Sequence, residues 1–259
     1  MSSHALRALI FDVNGVLAEI ERDGHFPAFN EAFRTAGFEW DWDLELYRRL
    51  LKIKARSDRL AHFFKYWRPC GIPRTGNRPL IDALCRRERR FYLRRIASGS
   101  VPLRTGVARL AREAAATGLA LGVATTGPHE AVEILLRAGL GSEGIGLFDA
   151  IGPGPDEAKG PLSGLYAPVL AALHCRPEHA VVVASSPERC VAAEAAGLSV
   201  VVTPSEYTPR RRFPGARIVV STLGDAEHPF RVVTGDALGH RTVTVRALRA
   251  WHADWAGQL

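Results

Sequence analysis

The sequence is poor in cysteine, with four residues among 259 and no C-x-x-C pair. These residues, Cys70, Cys85, Cys175 and Cys190, are far apart along the chain. Their spacing argues against a disulfide framework. We therefore expect reduced thiols and a cytoplasmic location.

Long apolar runs are also missing. None approaches the roughly 18–20 residues that a helix needs to cross a bilayer. The N-terminal stretch MSSHALRALIFDV has no basic region followed by a long apolar segment and a cleavage site. The sequence therefore predicts neither a secretory signal nor a membrane partner.

Acidic residues are fewer than basic ones: 27 Asp and Glu against 34 Lys and Arg give a formal net charge of +7. With 47% hydrophobic and 24% charged residues, the chain has the composition of a soluble globular protein with one large domain or a domain carrying an insertion. The charge fits an anionic ligand, an acidic partner or simply an Arg-rich composition. No nucleic-acid-binding module is visible, so nucleic acid is not an expected partner.

Four apolar runs alternate with helical patterns. The runs lie at 5–11, 119–124, 180–184 and 199–202, and the helical patterns between them lie at 107–116, 130–138 and 187–196. Apolar runs of this length, each followed by polar residues, are typical of buried parallel strands. The sequence therefore predicts an α/β fold with a doubly wound parallel sheet, which binds ligands at the carboxyl ends of its strands.

The stretch from 19 to 99 has a different character, because it is rich in arginine and aromatic residues and lacks a Val-rich run. We interpret it as a helical insertion after the first strand. The predicted organisation is a core of residues 1–18 and 100–225, the insertion of 19–99, and a C-terminal extension of 226–259. The extension is expected to hold a short strand or turn followed by a helix.

Asp12 follows the first predicted strand directly, with Gly15 close behind it. A carboxylate at a strand end, before a glycine turn, can act as a nucleophile toward phosphorus or carbon. It can equally be an aspartate that caps a strand-to-loop turn. These local features leave the two interpretations about evenly balanced.

Three motifs lie at the predicted strands: Asp-Val-Asn-Gly-Val-Leu after the first, Ala-Thr-Thr at the end of the second, and Ala-Ala-Gly-Leu followed by Thr-Pro on either side of the fourth. Together they resemble the haloacid dehalogenase (HAD) superfamily. Longer segments, among them EIERDGHFPAFNEAF and IASGSVPLRTGVARL, narrow the resemblance to the CbbY-type sugar-phosphate phosphatases, which are linked to carbon fixation. The resemblance implies a Rossmann-like core with an inserted α-helical cap. In active members it implies Mg²⁺-dependent phosphoryl transfer through an aspartyl-phosphate.

Several positions match the functional residues that the resemblance implies. Asp12 takes the position of the nucleophile. Thr125, with Thr126 beside it, takes that of the phosphate-binding hydroxyl. In the cap, Glu19 and His25 match acidic and histidine positions near the substrate. The family has a glycine-rich, lysine-bearing specificity loop in the cap. Residues 52–59 take its place here; the glycines are absent and Arg59 is retained.

Four other positions, in three motifs, depart from the family pattern. Asn14 stands where an aspartate protonates the leaving group, and an amide cannot act as that acid. Gly160 stands at the position of the third-motif lysine, and Lys159 comes one residue early. Ala184 and Ser185 replace the acidic pair that holds Mg²⁺.

These departures predict a weak or lost metal site. Mg²⁺ is usually bound through one or two carboxylates together with phosphate and waters, and Asp12 is the remaining obvious ligand. We expect no cofactor, or Mg²⁺ if any activity remains. Without a metal, Asp12 would repel a bound phosphate. The sequence therefore predicts either that another cation pairs with Asp12, such as Lys159 or an arginine of the cap, or that phosphate binding is lost.

Three hypotheses follow from this pattern. In the first, a catalytically impaired or inactive pseudo-phosphatase keeps a binding or regulatory role linked to sugar-phosphate metabolism. In the second, a residual phosphatase still forms an aspartyl-phosphate on Asp12, with Lys159 as substitute lysine and Glu188 or Asp156 helping to hold the metal. The third is a metal-free reaction at carbon, as in dehalogenases.

Two basic stretches are candidates for contact with a protein partner. The first is the run of arginines from Arg86 to Arg95, whose spacing places several on one face of a helix. The second is the loop from Arg210 to Arg212. The expected small-molecule ligand is a sugar phosphate.

Overall fold

The structure, a computed structural model, describes residues 5–67, 77–152, 162–208 and 211–256. The chain divides into two compact units. The core unit takes in the residues up to Glu19 and from Pro102 onward, and the cap unit is Ile20–Val101. The boundaries between the two units therefore lie within one or two residues of the boundaries predicted from the sequence.

Helices account for the cap and cover the sheet of the core. The cap contains a π-helical turn at Ile20–His25, followed by α1 (Phe26–Thr35), α2 (Leu44–Leu50), α3 (Arg56–Trp67) and α4 (Arg78–Ala97). The core contains α5 (Val107–Ala116), α6 (His129–Leu140), α7 (Ala167–Ala172), α8 (Pro187–Ala195) and α9 (Val245–Ala256). The helical insertion that the sequence predicts is confirmed.

A mostly parallel sheet forms the centre of the core unit. In the described part of the chain its strands are β1 (Ala8–Asp12), β2 (Ala120–Ala124), β3 (Ala150–Ile151), β4 (Ala180–Ala184), β5 (Ser199–Val202), β6 (Ala216–Val220) and β7 (Val232–Thr234). Their order is β3-β2-β1-β4-β5-β6-β7, and neighbours are parallel except for β6 with β7. The four predicted strands correspond to β1, β2, β4 and β5. The doubly wound α/β fold is thus confirmed.

The strand order brings the ends of three strands to one edge of the sheet. Strand β1 lies between β2 and β4, with Asp12 opposite Ala124 and Phe11 opposite Val183. The residues that follow these three parallel strands therefore meet beyond their carboxyl ends, where open α/β sheets bind ligands.

The segment beyond Asp225 is an integral part of the core unit rather than an appended extension. It supplies β7, which pairs with β6, and α9, as the expected strand and helix. Trp251 of α9 is fully buried, and its indole N–H donates to the carbonyl of Ala237 at 3.1 Å. In the ranges that the structure describes, no helix is both long and apolar enough to cross a bilayer.

The loop after β1 turns sharply at Gly15, whose φ of +72° lies in the left-handed region that favours glycine. The Gly15 N–H donates to the carbonyl of Ala18 at 2.8 Å. A Cβ at Gly15 would lie 2.6 Å from the Cβ of Ser205 and 2.8 Å from the Oγ of Ser185. The loop therefore approaches the residues after β4 and β5 as closely as the absence of a side chain allows.

Aromatic side chains form the centre of the cap. The ring centroid of Trp42 lies 4.7 Å from that of Phe29 and 5.0 Å from that of Phe33. Tyr47 and Phe63 join the same cluster, and all five side chains are buried. The cap therefore has a hydrophobic core of its own.

A buried charged cluster accompanies this aromatic core. The carboxylate of Glu21 accepts a hydrogen bond from the hydroxyl of Tyr47, and Nη1 of Arg59 lies 3.4 Å from Glu21 Oε2. The Nε of Arg59 donates to the carbonyl of Ile53 at 2.7 Å. Burial acts to raise the pKa of Glu21, but the charges of His25 and Arg59 and the Tyr47 hydrogen bond outweigh it and lower that pKa. Folding therefore favours the ionised form of Glu21.

We expect the Gly15→Ala variant to lose about 2–4 kcal/mol of unfolding free energy, because left-handed strain adds to a steric clash. Gly118→Ala is the matched control, since Gly118 has a φ of +76° but nothing within 4 Å of an added Cβ. That control should lose only about 1–2 kcal/mol. Urea unfolding measures both. Equal losses in the two variants would show that the loop after β1 is not closely packed.

The Glu21→Gln variant tests the charged cluster. Because folding lowers the pKa of Glu21 below its ordinary value of 4.5, its ionisation stabilises the fold above that pH. We expect the substitution to remove about 1–3 kcal/mol at neutral pH. The deficit should shrink as the pH falls below 4.5 and through the lower pKa of the folded state. Urea unfolding at a series of pH values measures it.

Glu45→Gln is the control, because Glu45 lies exposed beside Arg49 on α2. Its unfolding free energy should stay near that of the wild type at every pH. A Glu21→Gln deficit that does not change with pH would contradict the assignment of a lowered pKa.

Candidate active site

Asp12 is the last residue of β1, and only 1% of its surface is exposed. Its Oδ1 accepts a hydrogen bond from the hydroxyl of Tyr166 at 3.0 Å. Tyr166 directly precedes α7 and is itself fully buried. The strand therefore brings the carboxylate to the carboxyl edge of the sheet, where Tyr166 fixes one of its oxygens.

Arg189 of α8 occupies the other side of the Asp12 carboxylate. Its Nε lies 3.7 Å from Asp12 Oδ2, and 17% of the Arg189 side chain is exposed. Its Nη2 lies 3.4 Å from the Oγ1 of Thr126. The guanidinium group therefore connects the nucleophile position to the threonine pair that follows β2.

The cation that the sequence requires beside Asp12 is thus present, but it comes from an unexpected place. Among the described residues of the core unit it is supplied by Arg189, on the helix after β4. Helix α8 begins at Pro187, after the N-cap Ser186. This start brings Arg189 into the first turn, next to the strand end. Lys159, one of the predicted alternatives, lies outside the described residues.

The environment of Asp12 shifts its acid–base equilibrium. Burial raises the pKa of the Asp12 carboxyl, and the Arg189 charge and the Tyr166 hydrogen bond lower it by less, so the pKa stays above its ordinary value. Burial and the nearby Asp12 charge raise the pKa of Tyr166 well above its ordinary value. Tyr166 is therefore a neutral hydrogen-bond donor at physiological pH.

The two threonines after β2 have different roles in this structure. Thr125 is buried, with 3% of its surface exposed, and its Oγ1 accepts the Gly127 N–H at 2.8 Å. Thr126 is exposed and contacts Arg189. Both follow the strand that pairs with β1, so the predicted phosphate-binding residues and Asp12 lie at the same edge of the sheet.

Neutral groups occupy the positions where the resemblance to the family implies acids. The Oγ of Ser185 donates to the backbone carbonyl of Asn14 at 2.7 Å, and the hydroxyl of Thr208 donates to the carbonyl of Ser185 at 2.7 Å. Ala184 is fully buried and has no polar side-chain atom. Through Ser185, these hydrogen bonds therefore connect the loop after β4 to the loop after β1 and to the loop after β5.

These side chains do not fit a magnesium ion. Mg²⁺ requires near-octahedral coordination by oxygen, including one or more carboxylates. The Oδ2 of Asp12 lies beside a guanidinium, and Ala184 and Ser185 bring no carboxylate. Among the described residues, no group of three or more His, Cys, Asp or Glu side chains is arranged to hold a metal ion.

Glu188, a candidate metal ligand in the second hypothesis, lies in the first turn of α8 and pairs with Arg211 at 2.8 Å. Its side chain is half exposed. Partial burial acts to raise its pKa, but hydrogen bonds from its own backbone N–H and from Arg211, with the Arg211 charge, lower it overall. The other candidate, Asp156, and the third-motif position Gly160 lie outside the described residues.

Glu19 belongs to the core unit, although the sequence assigns it to the cap. The physical reason is Arg104, whose Nε lies 3.3 Å from Glu19 Oε1. The same guanidinium donates to the carbonyl of Gly15, and to those of Thr203 at 3.1 Å and Pro204 at 2.9 Å. Arg104 thereby joins the loop after β1 to the loop after β5. The proposed substrate role of Glu19 remains a prediction.

The two cap candidates are held by contacts inside the cap. Arg59 pairs with Glu21, as described above. The Nδ1 of His25 lies 2.6 Å from the buried carboxylate of Glu88, which also accepts from Arg56 at 3.1 Å. His25 also stacks on Tyr92, with ring centroids 3.9 Å apart. Both side chains therefore have structural partners, and their roles toward a substrate remain predictions.

The basic stretches that were candidates for partner contact are partly used within the chain. Three arginines of the stretch from Arg86 to Arg95 contact other parts of the cap; these are Arg87, Arg94 and Arg95. Arg211 pairs with Glu188, and Arg210 lies outside the described residues. A role of either stretch in binding a partner remains a prediction.

Sequence reasoning missed Arg189, Tyr166 and Arg104. The available signal for Arg189 was its place in the first turn of a helix that directly follows an apolar strand. Tyr166 and Arg104 gave no such signal, because their partners are fixed by the packing of segments that are distant along the chain.

Comparisons with known proteins agree with this architecture. A family model for haloacid dehalogenase-like hydrolases matches residues 6–197. The plasmid-encoded protein CbbY of Cupriavidus necator is 39% identical over 249 residues, which cover 95% of this chain and 97% of that protein.

Solved structures are similar as well. The crystal structure of CbbY from Rhodobacter sphaeroides in complex with phosphate has a TM-score of 0.70 and 35% identity, covering 84% of this chain and 94% of that one. A mutant of that protein in complex with xylulose-1,5-bisphosphate has the same TM-score. On these matches, the chain belongs to the haloacid dehalogenase superfamily and, within it, to the CbbY family.

Proposed function

We propose that this protein is a CbbY-like binding protein for a sugar phosphate and that its phosphatase turnover is strongly reduced. The observation that carries the proposal is the guanidinium of Arg189 placed 3.7 Å from the Asp12 carboxylate. An Mg²⁺-dependent phosphatase needs additional carboxylates at this edge of the sheet. Positions 184 and 185 supply none.

Several requirements of phosphoryl transfer to Asp12 are poorly met. Asn14 cannot protonate the leaving group, and losing a general acid typically slows a reaction by ~10²–10⁴-fold. A metal ion is worth several kcal/mol to such a transition state. These losses do not simply add, but together they remove most of the turnover.

The residues at the nucleophile and phosphate-binding positions are better preserved. Asp12, Thr125 and Thr126 keep their positions at the edge of the sheet, and Arg189 adds a fixed positive charge there. CbbY from Rhodobacter sphaeroides, at 35% identity, is known in complex with phosphate and, as a mutant, with xylulose-1,5-bisphosphate. We extend this ligand class, a sugar bisphosphate, to the present chain.

The biological setting that we propose is an extension of the same family assignment. We place the protein in the cytoplasm, with a binding or regulatory role in sugar-phosphate metabolism connected with carbon fixation. A protein partner would contact the arginines from Arg86 to Arg95 or from Arg210 to Arg212. The net charge of +7 supports an acidic partner.

A residual phosphatase is the second candidate, and the same arginine favours it. A guanidinium beside the nucleophile can stabilise the negative charge that develops on a transferred phosphoryl group. In this alternative Asp12 still forms an aspartyl-phosphate, at a rate set by Arg189 and by Lys159. Mg²⁺ would take part only through residues outside the described ranges, such as Asp156.

A phosphate-release assay with xylulose-1,5-bisphosphate and Mg²⁺ separates the two candidates. We expect kcat/KM to be at least about 10²-fold below that of CbbY from Rhodobacter sphaeroides measured in parallel, because the general acid is missing. The Asp12→Asn variant gives the baseline without a nucleophile. The wild type should lie close to this baseline.

A rate comparable to that of the active relative, abolished by Asp12→Asn, would contradict the proposal. A small rate that Asp12→Asn abolishes would identify the residual phosphatase. Release of halide from a 2-haloacid by the wild type, absent in Asp12→Asn, would instead support the metal-free reaction at carbon.

A further inference from the structure

The guanidinium group of Arg189 lies where it can meet a bound phosphoryl group. Its Nε is 3.7 Å from Asp12 Oδ2, and its Nη2 is 3.4 Å from Thr126 Oγ1. Asp12 and Thr126 follow neighbouring parallel strands at the edge where α/β sheets bind ligands. Arg189 therefore lies between the nucleophile position and the threonine pair.

Two buried polar atoms here have no hydrogen-bond partner within the described residues. One is Nη1 of Arg189 and the other is Oδ2 of Asp12. Buried polar groups are almost always satisfied in native proteins, by protein, water or ligand. One donor of the Arg189 guanidinium is therefore not used by the described residues.

The chemistry of the guanidinium indicates which ligand. It carries five N–H donors and no acceptor, and it stays charged at every physiological pH. Its planar arrangement of donors binds phosphate oxygens in pairs, with charge-assisted hydrogen bonds. An anion with several equivalent oxygens matches both the free donor and the charge.

We propose that Arg189 binds the phosphoryl group of the ligand and takes the place of the divalent cation, so that anion binding by this protein does not require a metal. The proposal rests on the sugar-phosphate-binding function set out above and names the residue responsible for it. It assigns to Arg189 a role that neither composition nor motif position indicates.

Electrostatics explains why one arginine is sufficient for binding. Asp12 and a phosphate repel each other, and the repulsion is strong where water is excluded. The Arg189 charge lies against the Asp12 carboxylate and offsets that repulsion. A divalent cation at Asp12 would be repelled by the same guanidinium. Added Mg²⁺ should therefore not strengthen phosphate binding.

Isothermal titration of the full chain with inorganic phosphate tests the proposal, in buffer containing either EDTA or excess Mg²⁺. We expect the wild-type Kd to differ by less than about twofold between the two buffers. The Arg189→Gln variant should raise Kd by about tenfold or more, because a hydrogen bond to a charged group is worth ~1.5–3 kcal/mol. Arg189→Lys, which keeps the charge but not the paired donors, should lie between them.

Arg246→Gln is the matched control, because Arg246 is an exposed arginine at the start of α9. It removes the same charge elsewhere in the core and should leave Kd unchanged. Thermal unfolding of each variant shows whether it is folded. If Arg189→Gln does not fold, Arg189→Lys and the wild-type comparison with and without Mg²⁺ still decide the question.

Three results would overturn the proposal. The first is phosphate binding in Arg189→Gln that is unchanged, so that Arg189 contributes nothing, or tighter, so that Arg189 obstructs the site. The second is wild-type binding that strengthens tenfold or more with Mg²⁺. The third is absence of phosphate binding by the wild type. Failure of the proposed function would appear separately, as rapid phosphate release in the hydrolysis assay.

Discussion

The guanidinium of Arg189 lies 3.7 Å from the carboxylate of Asp12, and the two side chains are only 17% and 2% exposed. In such an environment a charge without a partner is strongly disfavoured, and removal of one member of a pair destabilises the other. The pair therefore constrains the side chains that surround it. It fixes the direction of Arg189 from the first turn of α8, and it places a permanent positive charge beside Asp12.

The fold supplies the remaining constraints. Strand β1 lies between β2 and β4, so the ends of all three strands meet at Asp12. Gly15 allows the loop after β1 to pack against the loops after β4 and β5, and Arg104 joins two of these loops through their carbonyl groups. Tyr166 fixes the other carboxylate oxygen. The site is thus well organised.

Much of this could be predicted from the sequence, because strands buried on both faces are near-continuous apolar runs. The positions of Asp12, Thr125 and Ser185 follow from where those runs end. Contacts between distant segments could not be predicted. The carboxylate of Asp12 clearly needed a cation, but which side chain supplies it depends on the direction in which α8 leaves the sheet.

The other differences have the same origin. Glu19 belongs to the core because its partner, Arg104, comes from a segment that follows the cap in the sequence. The strand β7 has little periodicity of its own, and its place in the sheet depends on pairing with β6.

The most direct test of the central claim is a crystal structure of the wild type grown with phosphate and Mn²⁺, with anomalous data collected at the manganese edge. Our account predicts a phosphate with oxygens within hydrogen-bond distance of the Arg189 guanidinium and no anomalous peak at Asp12. A manganese peak bonded to the Asp12 carboxylate, with Arg189 turned away from the phosphate, would contradict it.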